Sequence, residues 1–143
     1  MTKIDELSQE IIKEYKTGNE QRRVLLQTLK AALLMKEKEK GKLTETDEVA
    51  VLKNELKVRQ QARTDFEKGG RVDLVEKTDE EIAEIKKMLP EEMSEQEIEK
   101  VVREVISLSE DKAFGSIMKQ SMSRLAGKAD GGTVSQVVRR VLG

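Results

Sequence analysis

The sequence predicts an all-α protein with two helical subdomains: a four-helix bundle over residues 1–90 and a three-helix bundle over residues 91–143. Three observations support this fold class. Glu, Lys, Leu and Val dominate the composition, with 9 Gly and 1 Pro, which favours helices over sandwiches or barrels. Apolar residues recur at helical spacing in seven successive segments, and no useful stretch alternates as a strand does. The single proline, Pro90, ends the fourth segment and marks the boundary.

Start and stop residues delimit the first four helices. Gly18 ends the first helix, and Asn19 caps the second, which runs to Gly41. A start signal at Thr44 opens the third helix, and the pair Gly69-Gly70 ends it. The four apolar stripes are Ile4, Leu7, Ile11, Ile12 and Tyr15; Leu25, Leu26, Leu29, Ala32 and Leu33; Val49, Leu52, Leu56 and Phe66; and Leu74, Val75, Ile82, Ile85 and Leu89.

The last three helices show similar signals. A capping box from Ser94 to Glu97 starts the fifth helix, and Gly127 suits the C-cap of the sixth. A second capping box, from Thr133 to Gln136, predicts that the seventh helix begins near Thr133. We interpret the three apolar stripes as core: Ile98, Val101, Val102, Val105 and Ile106; Phe114, Ile117, Met118, Met122 and Leu125; and Val134, Val137, Val138, Val141 and Leu142.

The composition excludes many kinds of chemistry. The chain has 0 His, 0 Cys and 0 Trp, and its aromatic fraction is 2%. These counts exclude zinc, iron–sulfur and paired haem ligation, disulfides, and catalysis by histidine or cysteine. They also predict that there is no aromatic platform for stacking bases, sugars or flavins. We therefore expect neither a metal nor a cofactor.

Short motifs do not add a catalytic set. Ser116-x-x-Lys119 has the spacing of a serine–lysine nucleophile pair, but such a pair needs a desolvated lysine, and on a lysine-rich helix the spacing arises by chance. Gly41-Lys42 and Gly127-Lys128 lack the rest of a phosphate loop. Gly127-Lys128 could still offer backbone N–H groups and a cation to a phosphate. No catalytic residue is assigned.

The charge is distributed unevenly along the chain. The formal net charge is −1, yet residues 112–143 contain six basic residues and one acidic residue, Asp130. This pattern leaves two interpretations open: a solvated surface of mixed sign, or a C-terminal end that meets a polyanion. Residues 1–20 lack the apolar segment of a signal peptide, and the longest apolar run, Ala31–Met35, is too short to span a bilayer. We expect a cytoplasmic protein.

Five segments, spread nearly end to end, carry a family resemblance: Arg22–Leu26, Leu52–Arg59, Phe66–Val75, Leu89–Ser94 and Gly127–Gly131. The last is the most specific. Together these segments resemble the GatB/YqeY family. That family includes free-standing YqeY-like proteins and the tail domain of GatB, a subunit of the glutamine-dependent amidotransferase that corrects misacylated tRNA. The chain departs from the family pattern at Lys119, Ser123 and Ala126, where Gly, Pro and Lys are frequent.

The resemblance implies two all-helical subdomains, with residues 91–143 similar to the tRNA-contacting tail of GatB. It associates the chain with carbon–nitrogen ligase activity that uses glutamine as amido donor, but the catalytic parts lie in other domains and subunits. In an RNA interface, five cations would contact phosphates: Lys119, Arg124, Lys128, Arg139 and Arg140. The connecting turn would be formed by Gly127, Asp130 and Gly131.

Two functions are therefore kept open. The first is an RNA-binding accessory module, with tRNA as the expected ligand. The second is a protein-interaction adaptor that docks on a synthetase, an amidotransferase subunit or another cytosolic partner through its long second and third helices. Neither a membrane nor DNA is expected as a partner. Salt-dependent binding of tRNA would favour the first function, and salt-insensitive association with a protein would favour the second.

Overall fold

A computed structural model describes residues 1–125 and 127–143 and confirms the all-α fold class. The described residues form seven α-helices, as predicted, and no strand. The helices are α1 (Lys3–Thr17), α2 (Glu20–Lys40), α3 (Glu45–Lys68), α4 (Val72–Met88), α5 (Glu95–Leu108), α6 (Phe114–Leu125) and α7 (Gly131–Leu142). Within those residues, no helix has both the length and the apolar character needed to cross a membrane. Ala126, where the chain departs from the family pattern, lies outside the described residues.

Side-chain caps mark the starts of five helices, whereas α4 starts after Arg71 without a side-chain cap. Thr44 and Ser94 are the N-caps of α3 and α5, and each forms a reciprocal capping box with the acidic residue three positions later. The Asn19 Oδ1 atom accepts the N–H of Arg22 at 3.1 Å and caps α2, as predicted. The fourth helix ends two residues before Pro90, which agrees with the restriction that proline places on the residue before it.

The chain divides into two compact units, Met1–Leu89 and Pro90–Gly143. In the first unit, α1 packs on α2 and α3 packs on α4, while α2 and α3 share a smaller contact. Its main core cluster draws on all four helices: Leu7, Ile11, Leu25, Leu26, Leu29, Leu33, Leu52 and Ile85. Burying each such side chain contributes about 1.5–3 kcal/mol, so this cluster is the main stabilising feature of the unit.

One arginine links three helices of the first unit. Arg22 of α2 lies 3.1 Å from Glu10 and 2.5 Å from Glu14, both on α1, and 3.1 Å from Glu84 on α4. Partial burial of the guanidinium opposes its charge, but the three carboxylates outweigh that effect and raise the pKa of Arg22. The cluster therefore fixes α1 and α4 against α2 through a single side chain.

The second unit packs α5, α6 and α7 pairwise around one core. The buried residues of this core are Ile98, Val102, Val105, Ile117, Leu125, Ala129, Val134, Val137 and Val138. The unit also buries a polar side chain: Ser121 of α6 is 0% exposed, and its Oγ atom has no hydrogen-bond partner among the described residues. Burying a hydroxyl without a hydrogen-bond partner costs free energy, so the Ser121 side chain lowers the stability of the unit.

The apolar stripe of α1 is narrower than predicted. Leu7 and Ile11 are buried, but Ile12 and Tyr15 are 58% and 61% exposed. The Tyr15 ring instead contacts Arg23 of α2, whose guanidinium carbon lies 4.5 Å from the ring centroid. The helical spacing was correct, and the width of the buried face was overestimated.

Candidate nucleic-acid interface

The segment Gly127–Gly131 connects α6 to α7 and has a defined backbone. Gly127 has a φ of +80°, in the left-handed region that favours glycine. The N–H of Lys128 donates to the Leu125 carbonyl at 2.9 Å, and the Lys128 carbonyl accepts the N–H of Met93 at 2.8 Å. The backbone of Lys128 is thus held on both sides, while its side chain is exposed.

The seventh helix begins at Gly131, so the predicted start near Thr133 is wrong. Asp130 is the N-cap, and its carboxylate accepts the N–H of Thr133 at 3.3 Å. A Cβ atom at Gly132 would lie only 3.0 Å from Asp130 Oδ2, so glycine at this position leaves room for the cap. The Asp130 carboxylate lies at the positive end of the helix dipole, where a negative charge is stabilised.

Two of the five candidate cations are paired with the acidic helix α5. Arg124 of α6 lies 2.9 Å from Glu104. Arg140 of α7 lies 3.2 Å from Glu95 and 3.5 Å from Glu99. All three acidic partners were missed at the level of the sequence, because they lie 20 to 45 residues away along the chain.

The charge excess of residues 112–143 is balanced within the same unit. Residues 90–143 contain eight basic and nine acidic side chains, because α5 and its flanking segments are rich in Glu. The unit as a whole therefore has no net positive charge to attract a polyanion. Any attraction must come from the way the charges are distributed over its surface.

The other three cations, Lys119, Lys128 and Arg139, are exposed and have no ion pair with a carboxylate among the described residues. Two of them differ in direction from the arginines that pair with α5. Lys119 lies about 140° around α6 from Arg124, and Arg139 lies about 100° around α7 from Arg140. Lys128 lies in the turn between the two helices.

An aromatic side chain accompanies these cations. Phe114, the first residue of α6, was predicted to be core, but it is 38% exposed. The guanidinium carbon of Arg139 lies 5.4 Å from the centroid of its ring, within the range of a cation–π contact. Of the three unpaired cations, Arg139 is therefore the one that the structure brings next to an accessible ring.

A family model described as Yqey-like protein matches residues 4–142. The chain belongs to the YqeY-like family. The YqeY-like match extends over nearly all of both units and contains the five segments on which the resemblance was based. No curated protein matches the sequence.

In this YqeY-like chain, Ser116 and Lys119 do not form a nucleophile pair within the described residues. The Ser116 Oγ atom accepts a hydrogen bond from Gln120 Nε2 at 3.1 Å, and Lys119 is exposed rather than desolvated. The same Gln120 amide also donates to Ser109 Oγ at 2.9 Å. Across residues 1–125 and 127–143, no three acidic side chains converge as metal ligands would.

Proposed function

We propose that this YqeY-like protein is a tRNA-binding accessory module, associated with glutamine-dependent tRNA amidotransferase function and without catalytic machinery of its own. The observation that carries the proposal is that Lys119, Lys128 and Arg139 of the second unit are exposed and have no carboxylate partner among the described residues. The likeness of the C-terminal unit to the GatB tail supports tRNA as the ligand. We place this function in the cytoplasm.

In this proposal the three unpaired cations contact phosphates and do not read base sequence. Lysine and arginine side chains that bind phosphates release condensed counterions, which makes the affinity depend steeply on salt. Arg124 and Arg140 join the interface only by exchanging their α5 partners for phosphates. Exposed ion pairs contribute little to stability, so that exchange costs little.

We also propose that the two units are independent subdomains, a four-helix bundle up to Pro90 and a three-helix bundle after it. The separate core clusters support this division, since the clusters share no residue among those described. RNA binding is assigned to the three-helix subdomain.

The function is tested by titrating total tRNA at several salt concentrations, with charge reversal at Lys119, Lys128 and Arg139. We expect modest affinity at low salt, and each lost phosphate contact should reduce the log–log salt slope by roughly one unit. The matched control reverses Lys13, Lys16 and Lys38, exposed lysines of α1 and α2. Equal binding by the wild type and the first triple variant, or no binding at low salt, would rule out the tRNA interface.

A second variant separates the paired from the unpaired cations. Arg124→Gln combined with Arg140→Gln removes two charges that already face Glu104, Glu95 and Glu99. We expect this double variant to lose less tRNA affinity than the variant with charge reversal at Lys119, Lys128 and Arg139. The reason is that the three unpaired cations remain in place. A larger loss would show that the α5 pairs open on binding and that the interface extends to that side.

The alternative function, a protein-interaction adaptor, is favoured by one surface of the first unit. Val24 and Met35 of α2 are 48% and 67% exposed. With the exposed residues Thr28 and Ala31 they follow each other at helical spacing, which forms a stripe on the outer side of α2. Salt-insensitive association with a protein that is abolished by Met35→Glu would support the adaptor function.

A further inference from the structure

Phe114 has an unusual setting for a phenylalanine of a small helical unit. It is one of only two phenylalanines in the chain, and more than a third of its side chain is exposed. The guanidinium of Arg139, on the neighbouring helix α7, lies over its ring. Unpaired nucleobases stack on aromatic rings and on guanidinium planes in single-stranded RNA recognition. The composition predicts no aromatic platform for bases, so this single exposed ring beside a guanidinium departs from that prediction.

The chain around this pair carries both signs of charge. Glu110 and Asp111 precede α6, and the Asp111 carboxylate accepts the N–H of Ala113 at 3.0 Å. The basic residues follow. Residues 112–143 contain a single acidic residue, Asp130, and its carboxylate is used as the N-cap of α7.

Arg139 and Lys119 lie at other angles around their helices than Arg140 and Arg124, which pair with the glutamates of α5. Among the described residues of α6 and α7, no other large apolar side chain is as exposed as Phe114. This part of the unit therefore lacks the apolar patch that an apolar anchor of a protein partner would need.

We propose that Phe114 and Arg139 form a stacking site for one unpaired nucleobase of an RNA, with Lys119 and Lys128 contacting phosphates of the adjoining nucleotides. This inference rests on the proposed RNA-binding function and specifies its ligand: a single-stranded or looped-out segment, not a continuous duplex. Stacking tolerates any base, because every base has a π face, so the site selects an unpaired nucleotide without selecting its identity.

The test compares two labelled RNA probes by fluorescence anisotropy: a 12-nucleotide single strand and a blunt-ended duplex of 12 base pairs without a loop. Phe114→Leu keeps apolar bulk and removes the ring, and Arg139→Lys keeps the charge and removes the planar guanidinium. We expect Phe114→Leu to weaken single-strand binding about 5- to 100-fold, the range of one base–aromatic stack, and to leave binding of the duplex unchanged. Phe66→Leu, at the other phenylalanine, is the matched control.

The salt dependence distinguishes stacking from charge. Phe114→Leu should lower single-strand affinity at every salt concentration without changing the log–log slope, since no phosphate contact is lost. Arg139→Lys should also retain the slope, with a smaller loss of affinity. Circular dichroism melting of each variant measures any loss of folded protein, and affinities are compared for folded protein only.

Three results would overturn the inference, and each can be distinguished from the other two. If tRNA and the single strand bind but Phe114→Leu leaves both affinities unchanged, the stacking site is wrong and the RNA-binding function stands. If Phe114→Leu weakens duplex binding as much as single-strand binding, the ring does not select unpaired bases. If the wild type binds no RNA at low salt, both the function and the stacking site fail.

Discussion

At the scale of single residues, neighbours on other helices decide which charges are available to a ligand. Lys119 and Arg124 are both exposed basic residues of α6, and the sequence gives them equal weight. The structure separates them, because Arg124 meets Glu104, which is 20 residues away along the chain. Such a pairing depends on how α5 packs on α6. The candidate cations could therefore be found from the sequence, but not sorted into paired and unpaired ones.

Two side chains of α6 show where apolar periodicity misleads. Phe114 has core spacing, yet it is the first residue of its helix, where the packed core ends and solvent reaches the ring. Ser121 has the opposite character, since it is polar by type and completely buried. Periodicity reports the direction of a side chain around the helix axis, and it does not report how far the core extends along that axis.

The conformation of Gly127 leads to a prediction of opposite effects at two glycines. Gly127→Ala should lower the free energy of unfolding by about 1 kcal/mol, because an L-residue is strained at its positive φ. Gly115→Ala, within α6, should raise the free energy of unfolding by up to about 1 kcal/mol, because a Cβ there meets open space and favours helix. Chemical denaturation measures both values. Stabilisation by Gly127→Ala would contradict the left-handed assignment.

At the scale of secondary-structure elements, local signals were sufficient for most boundaries. The capping boxes at Thr44 and Ser94 need only four consecutive residues, so the sequence contains all that determines them. The start of α7 was missed because two cap-forming residues, Asp130 and Thr133, lie three positions apart. Gly131 and Gly132 have low helix propensity, which favours a helix that starts after them, at Thr133. The Asp130 carboxylate instead caps a helix that starts at Gly131.

The junction between α2 and α3 predicts a dependence of stability on acid pH. The ammonium of Lys40, together with the backbone and hydroxyl of Thr44, lowers the pKa of Asp47 from 3.8 to about 2. In the unfolded chain the pKa returns to about 3.9. The stabilising effect of the Asp47 carboxylate is therefore complete above about pH 4 and is lost as the pH falls through 2.

Asp47→Asn should make the loss of unfolding free energy between pH 4 and pH 2 shallower than in the wild type. Lys40→Gln should have the same direction of effect, since it removes the largest cause of the pKa shift. Urea denaturation at half-unit pH intervals measures the slopes. Parallel slopes for the wild type and Asp47→Asn would show that the carboxylate does not link folding to pH in this range.

At the scale of the whole molecule, the fold class and the order of the seven helices followed from the sequence, because seven stripes with capped ends leave little else possible. The distribution of charge did not follow. A count over residues 112–143 gave a basic segment, and the folded unit pairs that segment with an acidic helix. Charge along a chain becomes charge on a surface only through tertiary structure.

The separate cores predict that the two units respond separately to core mutations. Ile85→Val and Ile117→Val each remove one methylene from a position that is 0% exposed, at a cost of about 1 kcal/mol. We expect Ile85→Val to reduce protection from hydrogen exchange in α1–α4 only, and Ile117→Val in α5–α7 only. Hydrogen exchange followed by mass spectrometry resolves the two regions. Loss of protection throughout the chain in either variant would show a single cooperative unit.

The three-helix link at Arg22 also bears on how the protein emerges during synthesis. Arg22 and Glu84 are separated by 62 residues, a length that a ribosome adds in roughly 3–12 s. Helices and helix pairs form in far less time, so we expect α1 and α2 to expose part of their leucine face until α3 and α4 have been made. During that interval an apolar surface of the nascent chain is accessible to chaperones at the ribosome exit. The surface is buried once Ile85 packs into the core and Glu84 pairs with Arg22.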